Sequence, residues 1–178
     1  APCLPTRLRY TPTQDGQWLW VLSRGKVVEW GKDGRPVRMS GTHLDITERK
    51  QAEKALRESE HTLRTIFDNT HDAIFVHAID GRVLDVNRKM LELYRVSREQ
   101  ALQSSIAEDF STPDNPIDQL QDRWNRVLAG EFITFEWKAK RPNDGSAFDV
   151  EVALKRISLG NRNVVLANVR DISMRKSA

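Results

Sequence analysis

The chain has 178 residues, 39% of them hydrophobic and 30% charged, with a formal net charge of +3. That is too apolar for wholesale disorder, long enough for one or two domains, and basic only in short scattered runs such as "RPVR" and "MRK", which argues against nucleic-acid binding. No apolar run approaches the roughly 20 residues that span a bilayer, no signal peptide is visible, and Cys3 is the sole cysteine, which excludes an internal disulfide and a thiolate metal cluster.

In chain order, residues 1–47 read as strands joined by turns at "DGQ" and by a longer hairpin, "WGKDGRPVR". A charged helix is expected over 48–67. Asp45 is its cap and Glu48 the partner in a capping box. Ala52, Leu56, Ser59, Leu63 and Ile66 recur at spacings of four and three, a short coiled-coil seam. Next, "AIFVHAIDGRVLDVN" places two apolar runs around Asp80-Gly81, a hairpin signal. "RKMLELY" and "SREQALQ" read as two short helices, with Ser97 capping the second. Asn115, with Pro116 behind it, is expected to cap a further helix that ends before Gly130. Three longer strands close the chain. Ile133, Phe135, Trp137 and Ala139 share one face of the first, and Phe148, Val150, Val152 and Leu154 share one face of the second.

The ending repeats. "TQDGQWLWV" is similar to "PNDGSAFDV", and "LDIT" to "RDIS". Gly16 lies 29 residues before Asp45 and Gly145 lies 26 before Asp171, a difference that one longer hairpin absorbs. Residues 1–47 therefore read as the last three strands of a second copy of the unit that ends at 176. That sheet has an apolar face with no helices of its own to cover it. Trp18, Trp20 and Trp30 lie on it, either as contacts for a partner chain or packed on their own sheet.

These residues resemble the PAS sensor family. The carriers are "IFDNTHDAIFVHAIDGRVLDVN", "DGSAFDVEVALKRIS" and "VRDISMRK", and in the first copy "DGQWLWVLSRGKVVEWGKDGRPVRMSGTHLDITERKQAEKAL". The resemblance implies an α+β PAS fold: a five-stranded antiparallel sheet with short helices on one face. It divides the chain into a truncated PAS remnant (1–47), a signalling helix (48–67) and a complete domain (68–176). It also implies that Asp45, Ile46 and Thr47 couple the first sheet to the helix, and that Asp171, Ile172 and Ser173 couple the second sheet to an output segment. Read without the family, Asp45 and Thr47 are helix caps, and the two roles are compatible.

PAS domains hold haem, flavin, small metabolites or nothing. "QALQSSIAEDF" has no cysteine, which argues against the cysteinyl-flavin type, and "PIDQLQDRWNRVLAG" has no histidine, which argues against the helix-histidine haem type. The residues name no cofactor, which stays unknown. His77 reads as a structural or surface histidine, and His61 as a surface position without the context of a phospho-accepting histidine. No metal cluster, phosphate loop or catalytic constellation is visible, so the chain is not expected to be an enzyme. The family pocket would be lined by Ile74, Val76, Met90, Tyr94, Phe110, Trp124, Phe135, Trp137, Val150, Val152, Leu166 and Asn168, although most of these are equally core residues. Asn168 draws interest because an inward amide needs a partner. The whole reads as a cytoplasmic input fragment of a larger signalling protein, with or without a membrane anchor: a histidine kinase, or else a cyclic-dinucleotide synthase or hydrolase. It senses a small ligand or relays without one. Dimerisation is expected through the helix and the sheet faces, with no membrane contact by the fragment.

Overall fold

A computed structural model describes residues 7–177; Cys3 lies outside the described residues. The chain divides into two compact units between Leu63 and Arg64.

In the first unit, β1 (Arg7–Pro12), β2 (Trp18–Trp30) and β3 (Pro36–Asp45) form an antiparallel sheet in that order. Tyr10 stacks on Trp18 and leans on Trp20, with ring centroids 5.1 and 5.0 Å apart. Trp18 and Trp30 are still about half exposed. Gly25 of β2 pairs with Gly41 of β3. A Cβ on Gly41 would lie 2.4 Å from the Arg24 carbonyl oxygen, so only glycine fits there. Helix α1 (Thr47–Asp68) starts one residue earlier and ends one later than the sequence suggests. Its seam residues Leu56, Leu63 and Ile66 are exposed, and no residue of the helix is buried.

In the second unit, β4 (Ala73–Ala78) and β5 (Val83–Val86) form the expected hairpin. α2 (Arg88–Tyr94), α3 (Arg98–Gln103) and α4 (Asp118–Leu128) come next, then β6 (Ile133–Lys140), β7 (Ala147–Leu159) and β8 (Arg162–Asp171), and a final turn of helix α5 (Ser173–Ser177). The strands form one antiparallel sheet in the order β5-β4-β8-β7-β6. This is an α+β fold with helices packed on one face of the sheet. Between them lies a core built on Phe75, Met90, Phe110, Val127, Val150 and Val165. Asn87 and Ser97 cap α2 and α3, their side chains accepting from the Met90 and Gln100 amides.

Two local expectations change. Asp45 accepts a hydrogen bond from the Thr47 amide at 2.8 Å, rather than forming a box with Glu48. Asn115 is not the cap of α4, whose first turn has no side-chain cap. Its amide instead donates to the Lys138 carbonyl at 2.7 Å and accepts from the Lys138 N–H at 2.9 Å. β6 is an edge strand, and an amide offers the donor and the acceptor that its free backbone needs.

Candidate functional site

Between the inner face of the second sheet and the helices lies a cavity of about 320 Å³. Its walls carry six Phe, Tyr and Trp rings among aliphatic side chains. Phe75 stands on the inner face of β4, with the Tyr94 and Phe110 rings edge-on to it at 5.6 and 5.8 Å. Trp124 comes from α4, and Phe135 and Trp137 from β6. Both indole N–H groups are already engaged, Trp124 with the Ile79 carbonyl at 2.9 Å and Trp137 with the Ser111 hydroxyl at 2.8 Å. They present rings to the cavity, not donors.

Among the polar members of this wall, with Asp80, Ser111 and Gln121, is His77, which is 3% exposed and stacks beside Phe75. Its Nδ1 lies 3.1 Å from the Gly81 carbonyl. A carbonyl only accepts, so Nδ1 carries the hydrogen and Nε2 is a bare acceptor. Burial pushes the imidazole pKa down to about 4, against a small rise from the Gly81 bond. Burial also raises the Tyr94 hydroxyl above its ordinary range. Arg123 lies behind Phe135, its guanidinium carbon 4.1 Å from the ring centroid and its Nη1 buried without a partner.

Of the residues named from the sequence, Tyr94, Phe110, Trp124, Phe135, Trp137 and Val152 meet on this wall. Met90 and Val150 are fully buried core outside it. Ile74, Val76, Leu166 and Asn168 point the other way. The inner face of β4 carries Phe75 and His77, and that of β8 carries Ala167 and Val169. Asn168 pairs with Ile74 and Ala153 on the outer face, where its Oδ1 is buried and unpaired. Of the two alternatives for His77, structural or surface, the structure places it as a buried, structural histidine. Its signal in the sequence is an ionisable side chain two residues beyond Phe75, and so on the same face of the strand.

The two Asp-Ile junctions are built alike. At the first, Asp45 accepts from the Thr47 amide, the Thr47 hydroxyl accepts from the Trp20 N–H at 2.9 Å, and the Ile46 N–H donates to the Trp20 carbonyl at 2.8 Å. At the second, Asp171 accepts from the Ser173 amide at 2.9 Å, the Ser173 hydroxyl accepts from the Asp149 N–H at 3.3 Å, and the Ile172 N–H donates to the Asp149 carbonyl at 2.9 Å. Trp20 and Asp149 each stand four residues after the turn glycine, Gly16 or Gly145. Ile46 and Ile172 are both buried, anchoring the chain where each helix begins.

At the entrance to the second unit, Asn87 is fully buried. Its Oδ1 accepts from the Ile74 and Met90 amides, and its Nδ2 donates to the Phe67 and Asp72 carbonyls and to the Thr70 hydroxyl. Arg64 on α1 pairs with Asp68 and Asp85, and Arg98 pairs with Asp85 as well. These ties fix the end of α1 to β4, β5 and α2. None was named from the sequence.

A family model described as the PAS fold matches residues 62–172. The chain belongs to the PAS family. A PAS domain of an HTR-like protein from Haloarcula marismortui is 31% identical, with a TM-score of 0.62 over 69% of this chain and 99% of that one. A PAS domain from a two-component sensor histidine kinase shares the fold, with a TM-score of 0.54 at 21% identity over 65% of this chain and 97% of that one. Among curated proteins, the methyl sulfide methyltransferase-associated sensor of Methanosarcina acetivorans is 30% identical over 74% of this chain and 13% of its own length. Sporulation kinase E of Bacillus subtilis is 28% identical over 71% of this chain and 17% of its own length. The chain thus spans less than a fifth of these two relatives. Its PAS domain is a sensory, non-catalytic module of the kind that signalling proteins carry, kinases among them. No helix among the described residues is long and apolar enough to cross a membrane.

Proposed function

We propose that this PAS domain is the input of a larger signalling protein: a small molecule in the cavity displaces the sheet, and the Asp171–Ser173 junction passes the change to an output segment. The observation that carries this reading is the position of Val169. It lines the cavity and stands two residues before Asp171, about 7 Å along the strand. A ligand pressing on the inner face of β8 is therefore felt at the junction directly. Asp45, Ile46 and Thr47 do the same for the three-stranded sheet, which the matched junction supports as the end of an upstream PAS domain. The names of its relatives, a sensor and a sporulation kinase, support a sensor kinase as the parent protein.

A second reading has its own support. Leu56, Leu63 and Ile66 leave an exposed apolar stripe on α1, which suits a homodimeric coiled coil that relays without any ligand. Native mass spectrometry of the freshly purified protein separates the two. A mass beyond whole multiples of the chain supports the ligand reading, a bare dimer supports the relay, and a bare monomer counts against both.

A further inference from the structure

Resting on the reading of the cavity as a ligand site, we infer that it takes a neutral, flat aromatic molecule bearing one N–H or O–H donor, which His77 Nε2 accepts. The tautomer is fixed by the Gly81 carbonyl, so Nε2 cannot donate, and no described residue donates to it. It lies on the same inner face as Phe75, with the Trp124 ring edge-on at 5.6 Å. The imidazole stays neutral at physiological pH because burial disfavours its charged form. It is therefore an acceptor under all ordinary conditions.

The rest of the wall sets the ligand's body. Rings stand at steep angles to one another around the space, and such walls suit a planar aromatic guest that meets some by edge and others by face. The volume is at the lower end of the usual range of about 300–1,000 Å³, which fits a fused bicycle and not a porphyrin. Charge is unwelcome. Asp80 is the charged residue of the wall, and its carboxylate is held by Arg82 at 2.8 Å, so a cation would have to displace that partner. An anion finds no cationic group on the wall and loses its hydration on entry.

The test uses the 178-residue protein and three probes in calorimetric titrations: indole, benzofuran and benzoate. Benzofuran keeps the outline of indole and replaces its N–H with an oxygen. Indole is expected to bind about tenfold more tightly than benzofuran, and His77→Leu to abolish the difference. The 15N resonance of His77 Nε2 should move with indole and hold still with benzofuran. Equal affinity for indole and benzofuran overturns the donor–acceptor assignment while leaving a ligand cavity in place. Preference for benzoate overturns it in favour of an anion drawn to Arg123. Failure of all three probes rejects both this inference and the cavity's role as a ligand site. If His77→Leu does not fold, the two neutral probes on the native protein still decide.

Discussion

Acid should weaken the PAS domain through His77 as the pH falls from about 6.5 towards about 4. The imidazole has an ordinary pKa of 6.5 and is pushed down to about 4 by burial. Between those values the unfolded chain binds a proton at this residue and the native state does not, so stability falls as pH falls. The loss begins near the unfolded value, grows through the window and levels off below the folded one. At about 1.36 kcal/mol per pH unit, the full span amounts to about 3 kcal/mol, of which about 2 kcal/mol is already lost at about pH 5. The neighbours do not obscure it. Asp80 is the carboxylate on the cavity wall with His77, and its hydrogen bonds to Arg82 hold its carboxyl below the ordinary carboxylate value, while burial raises the Tyr94 hydroxyl, so both lie outside the window. Urea denaturation followed by hydrogen exchange of the β4 and β8 amides, at about pH 8 and about pH 5, reads the difference. His77→Gln, which cannot titrate, should remove about 2 kcal/mol of the pH dependence. The same slope in both proteins would show that His77 titrates alike in the folded and unfolded chains, and the burial that holds it neutral down to acid pH would be refuted.

Asn87→Asp keeps both acceptor bonds and loses all three donated ones, leaving a buried carboxylate against carbonyls. It should cost about 3 kcal/mol or more and speed hydrogen exchange at residues 64–72 ahead of β7. Thr47→Val removes the acceptor of the Trp20 N–H and should cost about 1 kcal/mol by urea denaturation, whereas Thr47→Ser should be silent because the hydroxyl is retained. Asp45→Ala should raise exchange at residues 46–50 while the three-stranded sheet keeps its protection; loss of the sheet would make Asp45 a structural cap first. On the homodimer reading, Leu56→Asp with Leu63→Asp should convert a dimer to a monomer in sedimentation velocity, and unchanged sedimentation would remove the coiled coil.

Strand register was legible only where one face of a strand meets water. In β6, Thr134, Glu136 and Lys138 are exposed between buried partners, so the alternation is written in the sequence and the inner face can be read from it. β4 is different. Residues 73–77 are all buried, because the strand lies between β5 and β8 and both of its faces are covered. An apolar run of that kind has no period of two, and placing Ile74 and Val76 inward puts the strand one residue out of register. In β8 the burial alternates, with Val165, Ala167 and Val169 buried and Leu166 and Asn168 half-buried between them, but the apolar run Val164–Ala167 carries no such period in the sequence, so the face of Asn168 stays open there. Asn115 fails as a cap for another reason. Asn-Pro is a sound local helix start, but the edge of β6, 23 residues away, competes for the same amide and wins.

The junctions were legible because their chemistry is local. An aspartate oxygen reaches the amide two residues on, a hydroxyl reaches the neighbouring strand, and the intervening isoleucine is buried. What the sequence could not show is that the domain's entrance and exit rest on the same pair of strands. Asn87 clasps the Ile74 amide on β4, Ile74 pairs with Asn168 on β8, and β8 runs on through Val169 into Asp171. The cavity presses on these strands from the inner side, at Phe75 and Val169. On the proposed reading, a signal arriving along α1 and a ligand arriving in the cavity would bias the same β4–β8 pairing. Each can shift it only by its differential interaction with the two arrangements, so an input that leaves the pairing untouched transmits nothing, however tightly it binds.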